Sequence, residues 1–172
     1  MQGVLDFFNH PIFVVIGGVI TVIMIIGIIY SAYLWARGIL PVLYRLGVGL
    51  SKRRIAVFAE AEFDSLKNML IDSRIFKEEN IGRIHKNDLK KAEAFTLLLV
   101  HYKPFAEEME KILSIKKDAH ALIVYAPQSE GFIPKELMEK INGERNSIVV
   151  NFRGRLMNDI LGCMMTTSYE AK

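Results

Sequence analysis

Cysteine is nearly absent: Cys163 is the only one in 172 residues. No internal disulfide can form, and such usage suits a reducing compartment. Glycine is missing from FAEAEFDSL (58–66), the stretch after the first predicted strand, where Glu60, Glu62 and Asp64 stand instead. Carboxylates there repel phosphate, and without glycine the close backbone approach of a dinucleotide loop is shut, so the pattern argues against such a loop at this position. No G-x-S-x-G elbow surrounds Ser129, which leaves that serine in a polar loop rather than at a nucleophile turn. His85 and His120 show no ligand spacing, and the pattern names no metal site and no cofactor. There is no internal repeat or low-complexity tract, and no Lys or Arg precedes Arg37.

Charge is also missing from residues 11–36, PIFVVIGGVITVIMIIGIIYSAYLWA. A span needs about 20 apolar residues, so this run predicts a transmembrane helix. A secretory signal would need a basic start and a shorter apolar core, whereas this chain opens with Asp6 and no cation. A core helix of a soluble domain would keep a polar side over such a length. Arg37, Arg45, Lys52, Arg53 and Arg54 follow the run, which places the C-terminal part in the cytoplasm. Tyr30, Tyr33 and Trp35 fall near that end, where amphipathic rings suit the interface. The expected location is the inner membrane, single-pass, with the N-terminus outside.

The expected organisation is an extracytoplasmic segment at 1–10, a transmembrane helix at 11–36, a basic juxtamembrane linker at 37–54 and a cytoplasmic α/β domain at 55–172. The formal charge of +3 comes from the linker. Five of the 22 Lys and Arg precede Ile55, and the remaining 17 face 18 of the 19 Asp and Glu, a net of −1. The linker's cations attract anionic lipid, and no nucleic-acid surface is indicated for the domain. Residues 39–50 are too few to span. They lie in the interface, or they continue the helix with a break at Pro41. Arg37 and Arg45 are eight apart and read as lipid-facing anchors or, in an oligomer, as pore-lining cations. Gly17, Thr21, Gly27, Ser31 and Ala32 fall on one side of the span at 100° per residue, a small-residue face that predicts self-association.

From Ile55 the pattern alternates. RIAVFA (54–59) reads as a buried strand, EFDSLKNMLIDSRIF (62–76) as a helix and NIGRIHK (80–86) as a weaker strand. DLKKAEA (88–94) reads as a short helix capped by Asp88, and FTLLLVHY (95–102) as a strand apolar on both faces. PFAEEMEKILSIKKD (104–118) follows as a helix begun by Pro104, then HALIVYA (120–126) as a strand. PKELMEKIN (134–142) is a helix that Gly143 ends in the left-handed conformation, SIVVNF (147–152) the fifth strand and RLMNDILGCMMTT (155–167) the last helix. Five βα units in this length predict a parallel, flavodoxin-like sheet of order 2-1-3-4-5. Ligands of such sheets bind beyond the carboxyl ends of the strands. That edge would carry Glu60 and Glu62, His101 to Lys103, Pro127 to Glu130 and Asn151 to Arg155, with Glu60, Glu62, His101, Lys103, Ser129, Arg153 and Arg155 as the candidates to bind a ligand or partner. Arg153 and Arg155 flank Gly154 in NFRGR, where their guanidinium groups suit a carboxylate or phosphate or pair with Glu60 or Glu62.

In length and βα rhythm, residues 54–170 resemble the receiver domain of bacterial response regulators. The resemblance implies acidic residues after strand one, a phosphoacceptor Asp after strand three, a Ser or Thr after strand four and a Lys after strand five. The matching places here hold Glu60 and Glu62, His101, Ser129 and Arg153. Histidine where the acceptor carboxylate belongs removes a Mg²⁺ ligand and the aspartyl phosphate, so the resemblance implies a degenerate, receiver-like fold without that activity. TIR-like domains share the architecture, but AEAEFDS does not match their first loop. The expected role is a membrane-anchored sensor, effector or interaction protein of bacterial signalling or defence that acts by oligomerisation. Its expected partners are membrane lipid, further copies of the chain, and a protein or small anionic ligand. A tethered TIR-like or nucleotide-processing enzyme, and a small oligomeric pore, are the alternatives.

Overall fold

The computed structural model describes residues 10–167, with the backbone alone at positions 41, 45, 46 and 48–51. Asp6, nearly all of the expected N-terminal segment, and the side chain of Arg45 therefore lie outside the described residues. The chain divides into two compact units, residues 1–45 and 46–172.

The first unit holds helix α1, Pro11–Ala36. His10 caps it, its Nδ1 accepting from the Ile12 amide at 3.4 Å, and Pro11 occupies the first helical position, where a missing N–H costs nothing. All of its side chains are exposed or nearly so, none is buried, and the helix is long and apolar enough to cross a membrane. Its 26 residues reach about 39 Å, beyond the roughly 30 Å of a hydrocarbon core. At its end Arg37 donates to the Tyr33 hydroxyl at 3.3 Å and lies over the same ring. Gly38 then adopts φ +72°, a left-handed conformation that glycine takes without strain. Helix α2, Ile39–Lys52, starts immediately after. The helix break is therefore at Gly38. Pro41 sits in the first turn of α2, where proline is tolerated, and does not make the break.

The second unit is a five-stranded parallel sheet of order β2-β1-β3-β4-β5, formed by β1 (Ile55–Phe58), β2 (Ile81–Arg83), β3 (Leu97–His101), β4 (Ala121–Tyr125) and β5 (Ser147–Val150). Ile55 pairs with both Ile81 and Leu97, Leu97 with Ala121, and Leu122 with Ser147. The helices are α3 (Phe63–Asp72), α4 (Met109–Ile115), α5 (Lys135–Gly143) and α6 (Arg153–Thr166). Alternate strand residues divide the core. Ile55, Val57, Leu97, Leu99 and Ile123 pack with Leu66 and Leu70 of α3 and Leu156 and Ile160 of α6. Ala56, Phe58, Leu98, Val100 and Val124 pack on the other face with Met109 and Ile112 of α4 and Ile141 of α5. Burial on both faces is what makes the central strands continuous apolar runs, each Leu, Ile or Val contributing roughly 1.5–3 kcal/mol.

The elements depart from the sequence pattern at their ends. The helix expected over 104–118 is a 3₁₀ turn, Lys103–Phe105, followed by the short α4. Lys116 stops α4 by turning extended, and its buried ammonium reaches Glu144 at 3.4 Å. Residues 86–94 form 3₁₀ turns in place of the expected helix, with a kink at Asp88, whose φ is −125°. Gly143 stays helical, and Asn146 at φ +54° supplies the left-handed residue instead. Strand β2 is weak by sequence because Gly82 interrupts it. A Cβ at Gly82 would lie 2.4 Å from the Phe95 ring, so the glycine makes room for that aromatic.

Arg53, counted by sequence among the lipid-facing cations, belongs to the domain. It is 1% exposed, and its Nη2 donates to the carbonyls of Met164 and Thr167 at the end of α6. The last carbonyls of a helix run out of onward amides, and a cation there also complements the helix dipole. Arg54 lies over the Phe95 ring at 4.8 Å.

Candidate functional site

All five strands run the same way, so their carboxyl ends form one edge. The segment before β1 joins at the opposite, amino edge. At the carboxyl edge the structure places His101 at the end of β3, Glu60, Glu62, Lys103 and Ser129 in the connections that follow β1, β3 and β4, and Arg153 and Arg155 in the first turn of α6 after β5. They form three separate groups rather than one constellation.

The first group surrounds the end of β1. Glu60 is exposed and 3.7 Å from Lys86, whose Nζ is also 4.0 Å from Glu108 and lies over the Phe105 ring. Arg83 stacks on the Phe63 ring at 4.9 Å and donates to the Glu60 carbonyl at 3.1 Å. The second group joins the two helices of one sheet face. Glu62 occupies the N-cap position of α3 without capping it, because its carboxylate turns to Arg153 of α6 at 3.4 Å. The same guanidinium donates to Ser65 Oγ at 2.7 Å. Of the two readings of Arg153, pairing within the chain is the one the geometry contains. Arg155 takes no part and only approaches Asp159, one turn on, at 4.0 Å.

The third group holds His101, the last residue of β3. Its ring is buried, 5.7 Å from that of Tyr125, and its Nε2 is 2.8 Å from Glu130 Oε2. Among the described residues Nδ1 has no hydrogen-bond partner. A neutral imidazole that donates from Nε2 to Glu130 presents Nδ1 as a bare acceptor. Glu108 Oε2 is a second buried acceptor of this edge without a partner among the described residues. Glu130 sits in the turn Gln128–Glu130, which Gly131 closes at φ +109°. Ser129 in that turn and Lys103 after β3 are both exposed. Burial holds the Tyr102 phenol above its ordinary pKa, so it stays a hydrogen-bond donor.

Sequence reasoning placed Glu130 on this edge but did not pair it with His101, and it did not assign Arg83, Lys86 and Glu108 to the site. The expected strand order sets the ends of β2 and β3 beside that of β1, but no local pattern singles out Lys86 or Glu108 there. Among the described residues no three His, Cys, Asp or Glu are placed to hold a metal ion. A surface concavity opens elsewhere, beside Lys77, Glu78 and Glu79. Its Glu78 is held below the ordinary carboxylate range by a hydrogen bond from Lys67. Chemically, the carboxyl edge offers paired charges and one buried imidazole, not a nucleophile with its base. No family model, curated protein or solved structure matches the chain.

Proposed function

We propose that the chain is a membrane-anchored sensor, effector or interaction protein of bacterial signalling or defence, single-pass in the inner membrane with its α/β domain in the cytoplasm. It acts through oligomerisation rather than turnover. The observation that carries this reading is that the charged groups at the strand ends are committed to one another. Glu62 meets Arg153, Glu60 meets Lys86, and His101 meets Glu130. Such pairs hold a surface in one arrangement until an anionic ligand or a partner exchanges places with a carboxylate. The cations that follow α1 support the cytoplasmic side for the domain.

The small-residue face of α1 supports self-association. A Cβ added at Gly17 or Gly27 would meet nothing within 4 Å. The Thr21 hydroxyl donates to the Gly17 carbonyl at 2.7 Å, which leaves a smooth face on which a second helix can pack closely. Molar-mass determination of the full chain in detergent and in nanodiscs tests this. An oligomer that Gly17→Leu with Gly27→Leu dissociates is expected, and a monomer under every condition would sink the reading.

A second reading, a tethered TIR-like or nucleotide-processing enzyme that uses Glu60 or Glu62 with His101 and Arg153, is favoured by the bare Nδ1 of His101 alone. It expects His101→Ala to abolish turnover of a nucleotide by purified full-length protein. Absence of turnover across nucleoside triphosphates and dinucleotides in the parent chain would remove it.

A further inference from the structure

The apolar residues after the candidate span are not explained by either unit's core. We propose that helix α2 lies in the membrane interface and binds anionic lipid headgroups. This rests on the reading of α1 as a span. Four observations carry it. The first is the break. Arg37 and Gly38 close α1 by donating to the carbonyls of Tyr33 and Trp35, and Gly38 takes the left-handed conformation, so α2 is a separate helix. The second is length. Fourteen residues reach about 21 Å, too short for a hydrocarbon core of roughly 30 Å.

The third is the surface. Ile39, Val42 and Leu43 are 42%, 63% and 56% exposed, an apolar face that water alone would not tolerate in a contiguous stretch. Helical spacing groups positions 39, 42, 43, 46 and 50 on one side, all Ile, Val or Leu, and positions 45 and 52, Arg and Lys, on another. The fourth is charge. No Asp or Glu occurs between Asp6 and Glu60. Arg53 is withdrawn into the domain and Arg54 lies on Phe95, so Arg37, Arg45 and Lys52 remain for an anionic surface. A protein partner would need carboxylates opposite this cationic strip and an apolar groove beside it. Anionic lipid supplies both, and it is already adjacent because α2 begins three residues after α1 ends.

The chain's single tryptophan makes the test direct, since Trp35 marks the end of the span. Full-length protein is placed in nanodiscs of phosphatidylcholine, with or without phosphatidylglycerol, carrying bromine either near the carbonyl end or near the middle of the acyl chain. The parent chain reports Trp35. A Trp35→Phe, Leu43→Trp variant reports the apolar face of α2. Tryptophan at 43 is expected to be quenched by the shallow bromines and not by the deep ones. Its quenching should rise with phosphatidylglycerol, and adding Arg45→Glu and Lys52→Glu should abolish that rise. Deep quenching, quenching indifferent to phosphatidylglycerol, or no quenching at 43 while Trp35 is quenched would each overturn the proposal. An unquenched Trp35 would overturn the membrane reading beneath it.

Discussion

The two edges of the sheet treat charge in opposite ways. Five polar or charged residues are buried among those described, and four of them, Arg53, Lys116, His120 and Thr167, lie at or beside the amino edge. Their polar atoms meet mainly backbone: Arg53 donates to two carbonyls, His120 Nδ1 accepts from the Lys117 amide at 3.3 Å, and the Thr167 hydroxyl donates to the Cys163 carbonyl at 3.0 Å. At the carboxyl edge only His101 is buried, and the charges meet other side chains that remain partly in water. Backbone partners cannot be exchanged without unfolding a turn, whereas a half-exposed carboxylate can be replaced by another anion. Lys116, which meets the part-exposed Glu144, is the exception at the amino edge; otherwise that edge is held by backbone, and under the proposed function the carboxyl edge is the one that can exchange a partner.

The largest effect should come from breaking the amino edge at Arg53. Arg53→Ala leaves helix-end carbonyls without their charged donor and opens a space, and should destabilise the domain by about 2–4 kcal/mol. Denaturant unfolding of the full chain, followed by far-UV circular dichroism, measures it. Arg53→Lys should fall between the two, because an ammonium keeps the charge but not the guanidinium's reach. A loss no larger than that of an exposed arginine such as Arg155 would erase the contrast between the edges.

A smaller effect sharpens the same contrast within the amino edge. The Lys116 side chain is fully buried while its partner Glu144 is 39% exposed. When Lys116→Met removes the buried charge, Glu144 turns back to water and no uncompensated ion stays inside. The expected change is within about 1 kcal/mol of zero, in either direction, because the desolvation cost of the ammonium disappears together with the ion pair. A large loss would show that Lys116 holds the α4–β4 connection by charge, in the manner of Arg53.

The sheet order and the residues of its carboxyl edge were legible in the sequence, because strands buried on both faces leave continuous apolar runs and parallel topology sends their ends to one side. Apart from Arg153 with Glu62, what pairs with what was not. Arg53 reads as one of five cations after the span, and nothing nearby marks it for burial, since its acceptors are carbonyls 111 and 114 residues away. His101 was found from the end of an apolar run, but its partner Glu130 is 29 residues on, in a loop whose course Gly131 decides. The early end of α4 was hidden for a related reason. Lys116 continues a helical pattern locally and leaves it for a contact with Glu144 that only the fold provides.

The smallest effect belongs to the pair that most defines the carboxyl edge. Arg153 and Glu62 are 35% and 45% exposed and 3.4 Å apart. At that exposure the Coulomb gain is largely screened, so a double-mutant cycle of Arg153→Ala and Glu62→Ala should give a coupling of roughly 0.2–1 kcal/mol. Raising the salt concentration to about 1 M, where the screening length is near 3 Å, should abolish most of it. Arg155→Ala, whose nearest carboxylate is 4.0 Å away on its own helix, serves as the uncoupled control. A weak and salt-sensitive coupling is what allows an anion to displace Glu62 from Arg153. A strong, salt-insensitive one would make this pair a fixture like Arg53, and would leave Glu60 with Lys86 and His101 with Glu130 as the parts of the edge able to answer a ligand.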